Sequence, residues 1–382
     1  MSRMSLSSLL PGMKVQRTVY GSRGEILIFK GGILTNAFIK KLEEHAIPFV
    51  YIDDGLEPDI QPRSSAGANL FKMNVQDVVA KETRVAAIRQ VKNILLETKE
   101  AGRLVIEPQA VYSTVNQFTS ELLSSKSLMV NLTDLRSQDD YTFAHSVNVC
   151  VLSLMTGITL GFNNEELANL GIGALLHDLG KVKIPDEILN KPGKLTREEY
   201  STIQKHTTYG YNLILNSKNL DKTHALIAYQ HHESYDGSGY PLGIKDDKFI
   251  EQAQIISIAD KFDALTADRV YRRSFPPHEA YEMCAASGDY LFREHIVSAF
   301  LYNIAAYPSG SLVKLNNGYI AVVIDTPRGY STFPRVNLLF DQNHRQLSTP
   351  KEISLAEAGS LFVTKVLTVE EIKALQQKIQ GQ

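Results

Sequence analysis

The 382-residue chain has little cysteine, almost no net charge and no long apolar run, and each absence excludes a class of protein. Its two cysteines, Cys150 and Cys284, lie in apolar stretches of helical pattern, so the disulfide framework of a small secreted protein is not expected. A net charge of −2 provides no basic field that would attract a nucleic-acid polymer or an anionic membrane. No stretch approaches the ~18 continuous apolar residues of a membrane-spanning helix.

Two further absences concern targeting and repetition. Residues 1–10 lack the apolar core and the cleavage site of a secretory signal peptide, which favours a cytoplasmic location. No internal repeat or low-complexity tract is found along the chain. An apolar fraction of 43% with 21% charged residues is ordinary for a globular protein, and the length favours two or three domains.

The chain divides into three regions of different pattern, and together they predict a mainly α fold. Residues 1–66 read as a small β-rich N-terminal module that ends in a polar linker rich in Pro, Ser and Gly. Residues 67–306 are almost wholly helical and predict a bundle. Residues 307–382 predict a β-rich C-terminal module with a terminal helix.

Apolar spacing predicts the individual elements. Helices are expected at Asn36–His45, Val78–Lys99, Pro108–Leu123, Asp139–Leu160, Asn163–Leu179, Arg197–Asn216, Thr223–His232, Gln252–Leu265, Pro277–Ala286 and Val369–Ile379. Strands are expected at Lys14–Tyr20, Glu25–Phe29, Phe49–Ile52, Ser311–Leu315, Tyr319–Ile324, Arg335–Asp341 and Leu361–Val366.

The stretch from 171 to 181 ends an apolar helical run in a histidine followed by an aspartate. Neighbouring residues on a helix point about 100° apart, so His177 and Asp178 can face one cavity from the final turn. Gly180 stands where a helix C-cap favours a residue with positive φ. An imidazole beside a carboxylate that can bridge two cations is a metal-binding pair, although by itself the pair is better explained by a simple capping role.

Five of the ten histidines, together with two aspartates, stand in contexts that suggest ligands. Helix bundles build metal sites from such side chains on facing helices, and five buried imidazoles would each need a partner. Nitrogen and carboxylate ligands without thiolates favour Fe, Mn, Ni, Co or Zn over a structural zinc of the cysteine type. Seven ligands suit two divalent cations that share a carboxylate, and they are His145, His177, Asp178, His206, His231, His232 and Asp260.

These motifs resemble the HD-GYP family of cyclic di-GMP phosphodiesterases, within the HD metal-dependent phosphohydrolases. The strongest are His177-Asp178-Leu-Gly-Lys181 and the run from His231 to Pro241, which contains Gly237-Ser-Gly239-Tyr240-Pro241. The resemblance extends from about Asp140 to Phe300 and implies an HD-type helical bundle. It also implies two overlapping ligand sets: His145, His177, Asp178 and Asp260 for one metal, and Asp178, His206, His231 and His232 for the other.

The resemblance further implies the catalytic and substrate-binding residues. Asp178 and Lys181 are the expected catalytic residues, with the Lys181 ammonium on a phosphate oxygen. The loop with Gly239 and Tyr240 is expected to line the cleft and to touch guanine or phosphate, through Tyr240 or a backbone N–H; a plain tight turn is the alternative. Arg269 and Arg272 lie where guanidinium groups would clamp the second phosphate.

Some family members hold a third metal through a glutamate four residues before the first histidine. Here that position is Tyr141, a neutral phenol, while Asp140 points elsewhere on the helix. Two metals are therefore expected, with iron the first choice.

The expected function is hydrolysis of the 3′,5′-phosphodiester of cyclic di-GMP to pGpG, within bacterial second-messenger signalling; the sequence leaves open whether GMP follows. A homodimer and diguanylate cyclase domains are the expected protein partners. One alternative is a catalytically weak sensor that binds cyclic di-GMP, and the complete ligand set disfavours it. The other is an HD phosphohydrolase for another nucleotide, which the paired His231-His232 and the 237–241 loop disfavour.

Overall fold

The computed structural model describes residues 2–15, 19–20, 26–28, 32–44, 49–52, 78–125, 141–191, 193–217, 220–267 and 274–380. The mainly α fold class is confirmed, with a helical bundle in the middle and a β-sheet towards the C-terminus. The proposed domains 1–66, 67–306 and 307–382 stay predictions. The boundary between residues 66 and 67 falls outside the described residues.

The described residues of the N-terminal unit form four short strands and one α-helix. Its elements are β1 (Ser2–Ser5), β2 (Val19–Tyr20), β3 (Ile26–Ile28), α1 (Asn36–Glu44) and β4 (Phe49–Ile52). They form two antiparallel pairs, β1 with β4 and β2 with β3, around a small apolar cluster that includes Leu42. Strand β1 was not predicted from the sequence. Of the predicted strand Lys14–Tyr20, Lys14 and Val15 form isolated bridges, Val19–Tyr20 is β2, and residues 16–18 lie outside the described residues.

The bundle is built from eleven described helices in the middle of the chain. They are α2 (Lys81–Ala101), α3 (Pro108–Ser124), α4 (Tyr141–Leu160), α5 (Asn164–Leu176), α6 (Asp186–Leu189), α7 (Arg197–Gln204), α8 (His206–Leu215), α9 (Lys222–Gln230), α10 (Glu251–Thr266), α11 (Pro277–Ala285) and α12 (Glu294–Leu301). Helices α6 and α12 were not predicted. The capping box expected before α7 is present, because Thr196 accepts the Glu199 N–H and the Glu199 carboxylate accepts the Thr196 N–H.

Two predicted helices are broken in the structure, and both breaks carry ligand candidates. The predicted helix Arg197–Asn216 is two helices, and His206 is the first residue of the second. The predicted helix Asn163–Leu179 stops at Leu176, and a 3₁₀ turn follows at Leu179–Lys183. The ligand candidates His177 and Asp178 stand in the break that comes first along the chain, and His206 stands directly after the other break.

The expectation for Gly180 was wrong in its physical reason. Gly180 is absent from the glycines with positive φ, so it does not cap the helix in the left-handed region. Instead, the 3₁₀ turn packs against the start of α8. A Cβ at Gly180 would lie 1.9 Å from the His206 carbonyl oxygen and 2.4 Å from the Gly210 nitrogen, which leaves no room for any side chain.

Helix α4 is the centre of the bundle and packs against α2, α5, α10 and α12. Its segment Phe143–Leu160 has a mean hydropathy of 1.5 and is long and apolar enough to cross a membrane by length and composition. However, 78% of that segment is buried inside the fold. A helix surrounded by other helices is apolar on all sides, which explains the composition without a bilayer.

The C-terminal unit is an antiparallel sheet with one helix. Its strands are β5 (Leu312–Leu315), β6 (Ile320–Asp325), β7 (Arg335–Phe340), β8 (Gln346–Ser354) and β9 (Val363–Val366), in the spatial order β8-β7-β6-β5-β9, followed by α13 (Val369–Gln380). Strand β8 was not predicted. Because it is mostly exposed, its sequence lacks an apolar alternation. It also contains Pro350, a residue that strands tolerate at the edge of a sheet.

Candidate metal centre

The seven predicted ligand side chains meet at one cavity of the bundle. His145 comes from α4 and Asp260 from α10, whereas the other five stand at helix breaks: His177 and Asp178 after α5, His206 at the start of α8, and His231 and His232 after α9. Neighbouring imidazole centroids are 4.2–5.4 Å apart. The cluster is buried, and His232, with a quarter of its side chain exposed, faces the opening.

The ligand atoms fall into two groups that share Asp178. The His145 group consists of His145, His177 and Asp178, and the His206 group consists of Asp178, His206, His231 and His232. Within each group all candidate ligand atoms lie within 4.8 Å of one another. Asp260 adjoins the first group, because its Oδ1 is 3.1 Å from His145 Nε2, and its Oδ2 also lies 3.9 Å from His232 Nδ1.

The two oxygens of Asp178 face different groups. Asp178 Oδ2 is 3.4 Å from His177 Nε2 and 3.9 Å from His145 Nε2. Asp178 Oδ1 is 3.5 Å from His206 Nε2 and 3.8 Å from His231 Nε2. One carboxylate can therefore serve both groups, each through its own oxygen.

Backbone carbonyls determine the tautomer of three of the imidazoles. In each of them Nδ1 lies close to the carbonyl oxygen of the residue three positions earlier. The distance is 2.7 Å for His177, 2.7 Å for His206 and 2.9 Å for His231. A carbonyl only accepts, so Nδ1 carries the proton and the Nε2 lone pair points into the cavity. This is the arrangement in which histidine binds a metal through Nε2.

Several buried acceptor atoms at the cavity have nothing to accept from. Among the described residues, His177 Nε2 and Asp178 Oδ1 are fully buried without a hydrogen-bond partner. His206 Nε2 and His231 Nε2 lie 3.2 Å apart, and since both rings already hold their proton on Nδ1, two lone pairs face each other. Buried unsatisfied acceptors are costly, and a cation between them would satisfy all of them. The donor set therefore fits a divalent metal site.

The protonation states of most of the cluster also suit a cation. Burial lowers the pKa of His206 to about 4 and that of His232 to about 3, and it holds the pKa of His231 well below the usual value. These imidazoles are thus neutral at physiological pH. Burial alone would raise the pKa of Asp178, but the Lys181 ammonium holds it well below its usual range, so the carboxylate is ionised.

His145 differs from the other histidines because two carboxylates contact it. Its Nδ1 is 2.7 Å from Asp263 Oδ2, and its Nε2 faces Asp260. Burial would lower its pKa, but the hydrogen bonds with Asp260 and Asp263 outweigh burial and raise the pKa to about 10. Asp263 was missed in the sequence. Its signal was available, since it stands three residues after Asp260 on the same helix and ligand histidines commonly donate their second nitrogen to a carboxylate.

Lys181 and the Gly-Tyr-Pro loop are also brought to the cavity. Lys181 Nζ lies 2.5 Å from Asp178 Oδ2, and its side chain is about one quarter exposed. The Tyr240 ring stacks on His232 with centroids 4.8 Å apart, and the Tyr240 N–H donates to the His232 carbonyl at 3.1 Å. A Cβ at Gly239 would lie 2.4 Å from Glu233 Cα, so glycine is needed for the loop to pass there.

The loop is held by Glu233, a fully buried residue that sequence reasoning did not single out. Its carboxylate accepts the N–H groups of Leu242 at 2.7 Å and Ile244 at 3.2 Å. The N–H groups of Tyr240, Leu242 and Ile244 are therefore engaged within the protein, which holds the loop in place beside His232.

Four other residues named in the sequence analysis are not described, or only in part. Arg269, Arg272 and Asp140 are not among the described residues. Tyr141 begins α4, but its side chain is not described. The roles assigned to these four residues stay predictions.

The helical bundle with its buried histidine and aspartate cluster defines a protein of the HD-domain class. Residues 117–292 match the family described as an HD domain, and residues 312–375 match the KOW domain associated with HD domain. Sequence reasoning had assigned no family to this C-terminal unit.

Curated relatives narrow the class. The chain is 28% identical over 374 residues to the cyclic di-GMP phosphodiesterase PA4108 of Pseudomonas aeruginosa, covering 94% of this chain and 90% of that protein. It is 31% identical over 271 residues to the cyclic di-GMP phosphodiesterase response regulator RpfG of Xanthomonas campestris pv. campestris, covering 69% of each. It is 40% identical over 162 residues to the 3′3′-cGAMP-specific phosphodiesterase 1 of Vibrio cholerae, covering 42% of this chain and 36% of that protein. The chain belongs to the HD-GYP family of cyclic di-GMP phosphodiesterases, as its motifs predict.

Proposed function

We propose that this chain is a metal-dependent phosphodiesterase that opens cyclic di-GMP to linear pGpG. The observation that carries the chemistry is the division of the two Asp178 oxygens between two groups of imidazoles. Hydrolysis at phosphorus is the reaction that paired cations sharing a carboxylate promote. The substrate is supported by the relatives PA4108 and RpfG, which are named as cyclic di-GMP phosphodiesterases.

The proposed ligand sets follow the two groups. His145, His177, Asp178 and Asp260 would hold one cation, and Asp178, His206, His231 and His232 the other. Bound divalent cations would polarise the phosphate and lower the pKa of water. Iron is the first candidate, with Mn, Ni, Co and Zn as alternatives, because all of them accept imidazole and carboxylate ligands.

Side chains at the opening would bind and orient the dinucleotide. The Lys181 ammonium, beside Asp178, is positioned to bind a phosphate oxygen as charge develops. The Tyr240 ring, next to Gly239 and stacked on His232, offers a face for guanine. Arg269 and Arg272 are proposed for the second phosphate on their position in the motif.

The test is a reconstituted assay. Metal-free protein is loaded anaerobically with Fe(II) or Mn(II) and incubated with cyclic di-GMP, and products are separated by chromatography. We expect pGpG to accumulate before any GMP. Tight binding of cyclic di-GMP without hydrolysis would instead support the sensor alternative, and hydrolysis of a nucleoside triphosphate in preference to cyclic di-GMP would support another HD phosphohydrolase.

A second substrate is suggested by the relative from Vibrio cholerae that is named as 3′3′-cGAMP-specific. Cyclic di-GMP and 3′3′-cGAMP share the phosphodiester ring and differ in one base. The same assay therefore includes both dinucleotides, and the ratio of their kcat/KM values decides between them. A higher value for 3′3′-cGAMP would overturn the cyclic di-GMP assignment while leaving the chemistry intact.

Metal number is tested separately. We propose two cations, because the residue four positions before His145 is Tyr141 instead of a carboxylate. Elemental analysis should give two metals per chain in the wild type, and Tyr141→Glu is the variant designed to add a third. Three tightly held metals in the wild type would contradict the proposal. Homodimer formation, partnership with diguanylate cyclase domains and a cytoplasmic location stay predictions.

A further inference from the structure

A buried chain of hydrogen bonds connects the ligand candidate His145 to a helix that precedes the matched HD domain. Asp263 Oδ2 lies 2.7 Å from His145 Nδ1, and Asp263 Oδ1 accepts from Asn148 Nδ2 at 3.0 Å. Asn148 Oδ1 in turn accepts from Arg84 Nη2 at 3.1 Å. Arg84 belongs to α2, upstream of the residues 117–292 that match the HD domain.

All four side chains are enclosed in the bundle. Arg84 is 4% exposed, Asn148 8%, Asp263 0% and His145 6%. A guanidinium and a carboxylate buried this deeply are tolerated when hydrogen bonds satisfy them. The chain therefore has a defined structure that solvent cannot replace if one link is removed.

The chemistry of the links allows only one orientation. Guanidinium groups only donate and carboxylates only accept, so the Asn148 amide between them must turn its oxygen to Arg84 and its nitrogen to Asp263. Asn148 then holds one oxygen of Asp263 and leaves the other to accept the His145 Nδ1 proton. With Nδ1 held by Asp263, Nε2 is the ring nitrogen of His145 that faces Asp260 and is left to bind a cation.

We propose that Arg84 is a positioning residue for His145, which makes helix α2 part of the metal centre. This inference rests on the proposed metal site. A purely structural role for Arg84 would be bulk packing between α2 and α4, and it would not depend on Asp263. The positioning role requires that the effects of Arg84 and Asp263 be coupled.

The experiment measures metal binding without substrate. Metal-free wild type, Arg84→Met, Asp263→Asn and the double variant are titrated with Co(II), followed by visible absorption and by metal equivalents per chain. We expect Asp263→Asn to bind one equivalent roughly 10–100-fold more weakly, the effect typical of losing the outer partner of a ligand histidine, and Arg84→Met to weaken the same equivalent by a smaller factor. The other equivalent should keep its affinity, since the His206 group is oriented by backbone carbonyls.

Coupling is read from the double variant. If Arg84 acts through Asp263, the double variant should bind Co(II) no more weakly than Asp263→Asn alone. Arg89→Met is the matched control, because Arg89 is exposed on the same helix, and it should bind like wild type. Unchanged affinity in Arg84→Met, or additive losses in the double variant, would overturn the inference.

Two outcomes need separate treatment. If circular dichroism shows that Arg84→Met does not fold, Arg84→Lys replaces it in the test. Lysine keeps the positive charge but has one nitrogen in place of the three of a guanidinium group. The affinity for the same Co(II) equivalent should then fall by a smaller factor. Wild-type affinity in Arg84→Lys together with unfolded Arg84→Met would show a structural role only. If the wild type itself binds no Co(II), the proposed metal centre fails, and that result differs from a failure confined to Arg84.

Discussion

The His145 group and the His206 group share one aspartate but are prepared for a cation in different ways. In the His206 group, burial keeps the imidazoles neutral, and backbone carbonyls orient His206 and His231. In the His145 group, the carboxylates of Asp260 and Asp263 contact His145 and raise its pKa to about 10. The His206 group offers free lone pairs, whereas the His145 group holds a proton that a cation must displace. One fold thus contains two ligand sets with different expected metal affinities and pH dependence.

The largest effect is expected from replacing Asp178, the residue that both groups share. Asp178→Ala deletes the oxygens that face both groups, so both metals and essentially all turnover should be lost while the bundle still folds. Elemental analysis, the chromatographic assay and circular dichroism measure these three properties. Asp186→Ala, at an exposed aspartate paired with Lys99, is the control and should keep both metals. Two metals and normal activity in Asp178→Ala would refute the bridging role.

The pH dependence of metal binding should separate the two groups. Below pH 10 a cation in the His145 group displaces the His145 proton, so its affinity should rise about tenfold per pH unit up to about pH 10. The His206 group, with pKa values of about 4 for His206 and about 3 for His232, should lose no protons on binding at neutral pH. Calorimetry at about pH 6, below the pKa near 7 of metal-bound water, in buffers of different ionisation enthalpy should detect one proton released per two metals. Release of no proton, or of several, would contradict the contrast between the groups.

Arg269 and Arg272 follow Asp260 of the proposed His145 metal site and are proposed to bind phosphate. Changing Arg269 and Arg272 together to Ala should raise the KM for cyclic di-GMP by at least about tenfold, because a charged hydrogen bond to phosphate contributes about 1.5–3 kcal/mol. Metal content should stay at two per chain. Arg273→Ala is the matched control, because Arg273 is the next residue along the chain and the motif predicts no phosphate contact for it, and it should leave KM unchanged. An unaltered KM in the double variant would mean that these guanidinium groups do not touch the substrate.

On the side of the His206 group, the smallest expected effect comes from the aromatic ring stacked on His232. Tyr240→Ala should raise KM by at least about fivefold, since stacking of a base on an aromatic ring contributes about 1–3 kcal/mol. Tyr240→Phe keeps the ring and should behave like wild type. Steady-state kinetics of both variants at full metal occupancy provide the measurement. Equal KM values for wild type and Tyr240→Ala would show that the ring supports the loop without contacting guanine.

Sequence by itself determined the family, the helical class and the identity of the seven candidate ligands. Histidine and aspartate are recognisable as residue types, and their spacing places each at a helix or helix end, where local rules suffice. The same local rules failed for Gly180, because the reason for that glycine is the approach of α8, which lies about thirty residues further along the chain.

Only the tertiary structure decided which atoms face one another. The division of the Asp178 oxygens depends on how α5, α8 and α9 pack, and the proton on His145 depends on Asp263 from α10. The link from Arg84 through Asn148 to Asp263 joins three helices, with 64 residues between the first two partners and 115 between the last two. No local pattern encodes contacts at such separations, because they arise only when the apolar faces of the helices are buried together.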